Sequence, residues 1–310
     1  MIFFMILAPL LFNLTGLIDT YLTKLFWKEQ SEGTIESSTW TLMIIWGSIA
    51  LLVAVALLPF LWNQIFSIGI KEIWIILLAG GFYGIATYPY FHALKSEKIE
   101  NIIPMLQAIP IFSYIIAGIL LWESMSTRGI VLMGLSVLVA ILFGWNFWEK
   151  KINYKGILLI FASCILFSLY NVTFKLWTAD ATGVWISYFW QHLWIATVSL
   201  AFLLNKSIRK TSFRYFKTKW IWFSILNIGN EIFFIVGMAL VSYLTLFYDI
   251  AFVKTLTNWL QPVLWFVMVF LAYKFLPNIY EWKYSKKELI WKVLLCIISF
   301  LLLFIFYTVS

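Results

Sequence analysis

Two cysteines and two histidines in 310 residues leave little material for a redox or metal centre. Cys164 and Cys296 both fall inside apolar runs, so neither a disulfide framework nor a metal site is indicated. Charge is scarce as well. Asp, Glu, Lys and Arg make up 12% of the chain, whereas an ordinary soluble domain carries about a quarter. No phosphate-cradling glycine loop, nucleotide motif or metal-ligand cluster occurs, so an ATP-driven pump and a cofactor are not expected. No Ser/His or paired-carboxylate arrangement stands out, and an enzyme is not expected either. Long polar connections are missing too. The longest, after Lys24, Asn205 and Lys274, run to about a dozen residues, too short for a soluble domain.

What is present is apolar: 63% of residues, with a mean hydropathy of +0.93. Ten apolar runs can be counted, at about 2–23, 38–62, 73–94, 102–122, 129–147, 156–177, 184–204, 220–241, 246–273 and 289–308. The chain therefore reads as an all-α, polytopic integral protein of the plasma (inner) membrane, with the lipid bilayer as its surroundings. The first run begins at Ile2 without a basic n-region and reaches about Phe26, which marks a first span rather than a cleaved leader. The net charge of +8 describes topology, not a nucleic-acid partner. Of the 22 Lys and Arg, 18 follow odd-numbered spans, Lys71, Arg128 and Lys175 lie on the other side, and Lys254 lies within a span. By the positive-inside rule the odd connections are cytoplasmic and both termini are outside. Most of the 18 Trp and 15 Tyr are expected in interfacial belts and packing.

Polar groups inside the spans are the functional candidates, because a charge near the centre of a membrane helix costs about 2.5 to 3.5 kcal/mol on insertion scales. Two stand out between Trp220 and Tyr273. With a turn at Val241–Thr245, Glu231 lies 12 residues before its centre at Tyr243 and Lys254 lies 11 after it, so an antiparallel hairpin puts them at similar depth. They are expected to border a cavity and to pair. Asn227, Asn230 and Glu231 share one helical face, and Lys254, Asn258 and Gln261 share another. Further candidates are Asn13 and Asn171, the latter at a place in the sixth span corresponding to the first, with Tyr90 and His92 at the end of the third, Gln107 in the fourth, and Gln191 and His192 in the seventh. Asp19 lies near a membrane edge, while Lys24 and Lys175 end their spans and are expected to snorkel.

An internal repeat accompanies these residues. At an offset of 146, Trp74-Ile75 and Ala93-Leu94 match Trp220-Ile221 and Ala239-Leu240. Leu106-Gln107 before Pro110 resembles Leu260-Gln261 before Pro262, and Leu11-Phe12-Asn13 echoes Leu166-Phe167-Ser168. Residues 1–150 and 151–310 then form halves of five spans each. Five is odd, so the halves run in opposite directions, as in inverted-repeat carriers with a midplane site.

The run Tyr90-Phe91-His92-Ala93-Leu94, a short polar link, Pro104, Pro110, Glu123 and Gly129 to Gly134 resembles the third to fifth spans of EamA-type carriers of the drug/metabolite transporter superfamily. The likeness is clearest over Trp74–Trp145. It implies a secondary carrier that exports or exchanges small polar metabolites through a central cavity lined by both halves. It also implies cytoplasmic termini, opposite to the charge bias. The second half departs from the pattern: it lacks a counterpart of Glu123 and has no glycine in its last span.

The expected function is secondary-active transport of small polar or aromatic metabolites, such as amino acids, by a monomer or homodimer. Proton coupling would pass through Glu231, since a buried carboxyl beside a movable ammonium can be neutral in one state and charged in another. Alternatives are a translocator of lipids or lipid-linked headgroups and, from another class, a membrane enzyme using His92 or His192 as a base.

Overall fold

A computed structural model describes residues 2–29, 35–96, 102, 105–144, 154–178, 183–248, 250–275 and 286–309. All of its regular elements are helical. In order they are α1 (Ile2–Glu29), α2 (Ile35–Leu61), α3 (Ile70–Ser96), α4 (Ile109–Leu120), α5 (Thr127–Gly144), α6 (Tyr154–Thr178), α7 (Val184–Ala201), α8 (Lys206–Thr245), α9 (Ile250–Trp259), α10 (Gln261–Phe275) and α11 (Lys286–Val309). A 3-10 turn, Leu106–Ala108, leads into α4, and another, Phe202–Leu204, extends α7.

Among the described residues, five helical segments are long and apolar enough to cross a membrane: Trp40–Leu61, Ile70–Leu94, Lys155–Leu176, Val184–Leu204 and Ile225–Thr245. Shorter apolar helices cover Ile6–Asp19, Ile109–Leu120 and Gly129–Val139. Large apolar side chains such as Leu52, Phe60, Leu158 and Ile232 point away from the protein. In water such a surface would aggregate; in lipid it is the ordinary outer face of a bundle.

α8 begins earlier than its apolar run. Asn205 caps it by accepting from the amides of Ser207 (3.0 Å) and Ile208 (3.4 Å). The 40-residue helix is about 60 Å long, twice the thickness of the hydrocarbon layer, so its basic first third lies outside that layer. The cluster from Lys206 to Lys219 is thus part of a helix rather than a loop, and Ser212 is buried against Thr41 of α2, with the two hydroxyls 3.2 Å apart.

Three antiparallel pairs build the centre. In α1 and α8, Ala8 packs with Val241, Phe12 lies 6.1 Å from Phe234, and Asn230 donates to Asp19. Gly237 permits that approach, because a Cβ there would sit 2.9 Å from the Phe12 ring. In α3 and α6, Tyr83 meets Tyr170 at 5.1 Å and the Ser163 hydroxyl donates to the Ala86 carbonyl at 2.9 Å. In α2 and α7, Ala50 packs with Ile195 and Ala54 with Ile186. Their backbones come close at Gly47, where any Cβ would run into Ser199. Outside this centre α9 packs on α4 and α5, and α5 on α11.

Candidate functional site

Two helices are broken beside the centre, each next to a proline. Proline has no N–H to give and is tolerated in a first helical turn, so a helix restarts there more readily than it continues. α4 restarts at Ile109 with Pro110 in its first turn, and α10 restarts at Gln261 with Pro262 next. Polar side chains of α1 and α6 reach the first carbonyls of these restarts. Asn13 Nδ2 donates to Gln261 O at 2.9 Å, and Ser168 Oγ lies 3.0 Å from Ile109 O. The side chain aligned with Asn13 in the repeat, Ser168, thus lies beside the other broken helix, with its hydroxyl also 2.7 Å from Cys164 O on its own helix.

Between these breaks lies a cavity with about 180 Å³ of room for the centres of water molecules. Its wall is aromatic, with Tyr83 at the hub: Trp46, Phe167, Tyr170 and Phe234 all have ring centroids 5.1 to 5.5 Å from it. Its polar lining comes from α1 (Asn13, Thr15, Asp19), α6 (Asn171), α8 (Asn230, Glu231), α9 (Lys254) and α10 (Gln261). The lining residues of α1 and α3 sit in the middle and C-terminal halves of those helices, and Ile109 starts α4. The cavity thus extends from the middle of the bundle toward the ends at which α1 and α3 finish and α4 begins.

Glu231 is 4% exposed and is held from two sides. Trp46 Nε1 donates to its Oε2 at 3.0 Å, and His192 Nε2 lies 3.3 Å from its Oε1. His192 Nδ1 is 2.7 Å from the carbonyl of Tyr188, one turn back on α7. A carbonyl has no hydrogen to offer, so that bond requires the proton on Nδ1. A bond between Nε2 and Oε1 then requires a further proton on one of those two atoms. In either form the pair is neutral overall and holds one more proton than a neutral imidazole beside a carboxylate.

The expected pairing of Glu231 with Lys254 does not occur. Both border the cavity, but the hairpin arms diverge: α8 packs along α1 and α2, and α9 along α4 and α5. Lys254 is 6% exposed, and among the described residues no carboxylate or hydrogen-bond acceptor lies within bonding distance of its ammonium.

One turn before Lys254, α9 is fastened at its start. Glu123 Oε2 accepts from Ile250 N–H at 3.0 Å and its carboxylate pairs with Lys175, whose Nζ donates to Tyr248 O at 3.1 Å. Lys175 is thus an ion-pair partner and not a snorkelling end. Trp122, with φ of 57°, takes the left-handed position that ends α4, and Glu123 N–H turns back to Ala117 O at 3.4 Å. This fastening lies at the C-terminal ends of α4 and α6, opposite to the direction in which the cavity extends.

Of the expected site residues, Glu231, Lys254, Asn230, Gln261, Asn13, Asn171 and Tyr90 line the cavity. His192 stands behind Glu231, and Gln191, fully buried, accepts from the Tyr170 hydroxyl at 3.4 Å. Asn227 is half-buried and is not part of the lining; His92 stacks on Tyr88 at 5.7 Å and is not part of it either. The side chains of Gln107 and Asn258 lie outside the described residues. Trp46 was missed. An indole in the middle of an apolar run has an N–H that needs an acceptor, which is the signal that could have found it.

No family model and no curated protein matches the chain. Eleven chains of solved structures do. One, described only as "Crystal structure of protein", superposes with a TM-score of 0.58 over 92% of this chain and 96% of its own, at 15% identity. At that identity the likeness is one of fold.

Proposed function

We propose that this protein is a secondary carrier of the EamA type in the drug/metabolite transporter superfamily, moving small polar or aromatic metabolites such as amino acids across the inner membrane by alternating access. The observation that carries the reading is the central cavity. It is walled by rings, lined by amides and charged groups, and bordered by helices of both halves of the chain. A purely structural bundle has no use for such groups at a cost of about 2.5 to 3.5 kcal/mol for each charge near a helix centre.

The ten-span, two-repeat layout is part of this reading. Counting α4 with its preceding turn as the fourth span, α9 and α10 together as the ninth, and α11 as the tenth, a shift of five spans turns the α3 and α6 contact into that of α8 and α1. It turns α2 with α7 into itself. All three pairs are antiparallel, as halves of opposite direction require. The broken fourth and ninth spans, with Ser168 and Asn13 respectively beside their first carbonyls, follow the same relation. Discontinuous helices at a repeat interface are a recurrent way of building a midplane site.

In the carrier cycle the fastening of Glu123 with Lys175 closes one side while the cavity extends to the other. By the charge bias, the closed side is the exterior. Proton coupling would use the extra proton held between Glu231 and His192.

The test is flux. Purified protein in liposomes should take up or release some members of a panel of amino acids and related metabolites saturably, with and without a pH gradient. Glu231→Gln should abolish or uncouple that flux while the protein still inserts and stays monodisperse. Failure of every panel member, or wild-type flux in the Glu231→Gln, Lys254→Met double variant, would defeat the proposal.

A further inference from the structure

We propose that Lys254 is the anchor for a carboxylate on the cargo, so that the cavity selects small molecules combining an anionic carboxylate with an aromatic or apolar body. The inference rests on reading the cavity as a cargo site. It begins from an imbalance. The cavity contains one lysine, 6% exposed, on the inner wall formed by α9. The carboxylates of the lining and the one at the start of α9 are engaged elsewhere: Glu231 with His192 and Trp46, Asp19 with Asn230, and Glu123 with Lys175 and the Ile250 amide. Among the described residues, the one hydrogen bond of Lys254 apart from those of the helix ladder engages its carbonyl, which accepts from Thr257 at 3.4 Å. Its ammonium is left facing the cavity.

A buried ammonium without a counter-ion is among the most costly arrangements a fold can hold, and is tolerated where water or a ligand can reach it. An arriving anion removes that cost. An arriving cation or neutral group does not. Selection by charge follows directly, because the ammonium rewards one charge sign only.

The anion's chemistry is narrowed by its surroundings. Phosphate recognition ordinarily draws on several donors or on the forked guanidinium of arginine. Among the described residues the cavity lining has no arginine and one lysine, which suits a monoanion. Asn171 and Gln261 border the same space and can orient the carboxylate by their amides. The aromatic part of the lining, Tyr83 with Phe167 and Phe234, is a surface for a planar or apolar body. The fastening at Ile250 holds α9 one turn from the anchor, so the ammonium is positioned before cargo arrives.

The experiment uses the full-length protein in nanodiscs with four probes of one shape: phenylacetate, phenethylamine, 2-phenylethanol and phenyl phosphate. Binding is read from the intrinsic tryptophan fluorescence, to which Trp46 in the wall contributes, and from thermal shift. Phenylacetate should bind saturably and better than the amine or the alcohol. Lys254→Gln should weaken phenylacetate at least tenfold and leave the alcohol within twofold, and Lys254→Arg should retain phenylacetate within a few-fold. If Lys254→Gln is not monodisperse, the ranking of probes on the wild type and on Lys254→Arg decides alone. Binding of the amine in preference to phenylacetate, no binding of any probe, or a Lys254→Gln variant that binds phenylacetate as the wild type does, would overturn the assignment. Tighter binding of phenyl phosphate than of phenylacetate would overturn it for the carboxylate. Saturable liposome flux of neutral or cationic metabolites, undiminished in Lys254→Gln, would sink the anchor and leave the carrier standing; absence of all flux would sink both.

Discussion

Replacing His192 by leucine should destabilise the protein far more than replacing Glu231 by glutamine, although the two side chains share one hydrogen bond. His192 supplies one of the two side-chain bonds that hold the Glu231 carboxyl, at 3.3 Å, in a site where Glu231 is 4% exposed. A hydrogen bond to a charged group is worth about 1.5 to 3 kcal/mol, and stripping a partner from a buried ionic pair costs about 3 to 5 kcal/mol because the survivor stays desolvated. His192→Leu should therefore cost about 3 kcal/mol. Glutamine at 231 keeps an oxygen for the Trp46 N–H and offers an N–H to His192 Nε2, so Glu231→Gln should cost only about 1 kcal/mol. In the double variant no charge is left without its partner, and the cycle should show a coupling of at least about 1.5 kcal/mol. Equilibrium unfolding of the purified protein in mixed micelles, followed by tryptophan fluorescence, measures all four species. Coupling below about 0.5 kcal/mol, the range expected of distant independent sites, would refute the reasoning that the two side chains hold a proton between them.

Glu123→Gln and Lys175→Met should each loosen the start of α9, and amide exchange over residues 248–254 should speed by about tenfold for each ~1.4 kcal/mol lost; unchanged exchange at Ile250 would mean that the fastening is idle. Gly47→Leu should separate α2 from α7, since a Cβ there already collides with Ser199, with a destabilisation of about 1–3 kcal/mol or more seen as a lower unfolding midpoint; wild-type stability would contradict the close approach. The odd-numbered connections should be cytoplasmic, so a cysteine replacing the exposed Lys210 should resist an impermeant thiol reagent added to intact cells. Labelling from outside would invert the orientation.

Much of the site could be read from residue type alone. A carboxylate, an ammonium and amides inside apolar runs marked Glu231, Lys254, Asn230, Asn13, Asn171 and Gln261, and all of them reach the cavity. The Leu-Gln steps before Pro110 and Pro262 read only as part of the repeat, although they lie at the two broken helices. Partnerships were harder to see. Equal depth across a turn suggested that Glu231 meets Lys254, but depth fixes one coordinate, and the lateral course of the two arms depends on which helices each packs against. The true partner, His192, is 39 residues away on another helix, where no periodicity connects them. Trp46 is one of 18 tryptophans, and composition cannot tell a belt indole from one that holds a carboxylate. Lys175 looked like a span end because its partner Glu123 belongs to the other half of the chain.

Alternating access to one cavity is the central claim, and accessibility from both sides tests it without knowledge of the cargo. Met238 is 5% exposed and borders the cavity, so Met238→Cys in a Cys164→Ser, Cys296→Ser background places a single thiol there. In vesicles of defined orientation, an impermeant thiol reagent should reach it from the side of the odd-numbered connections quickly and from the opposite side more slowly. Reaction from only one side, or from neither, would contradict the account.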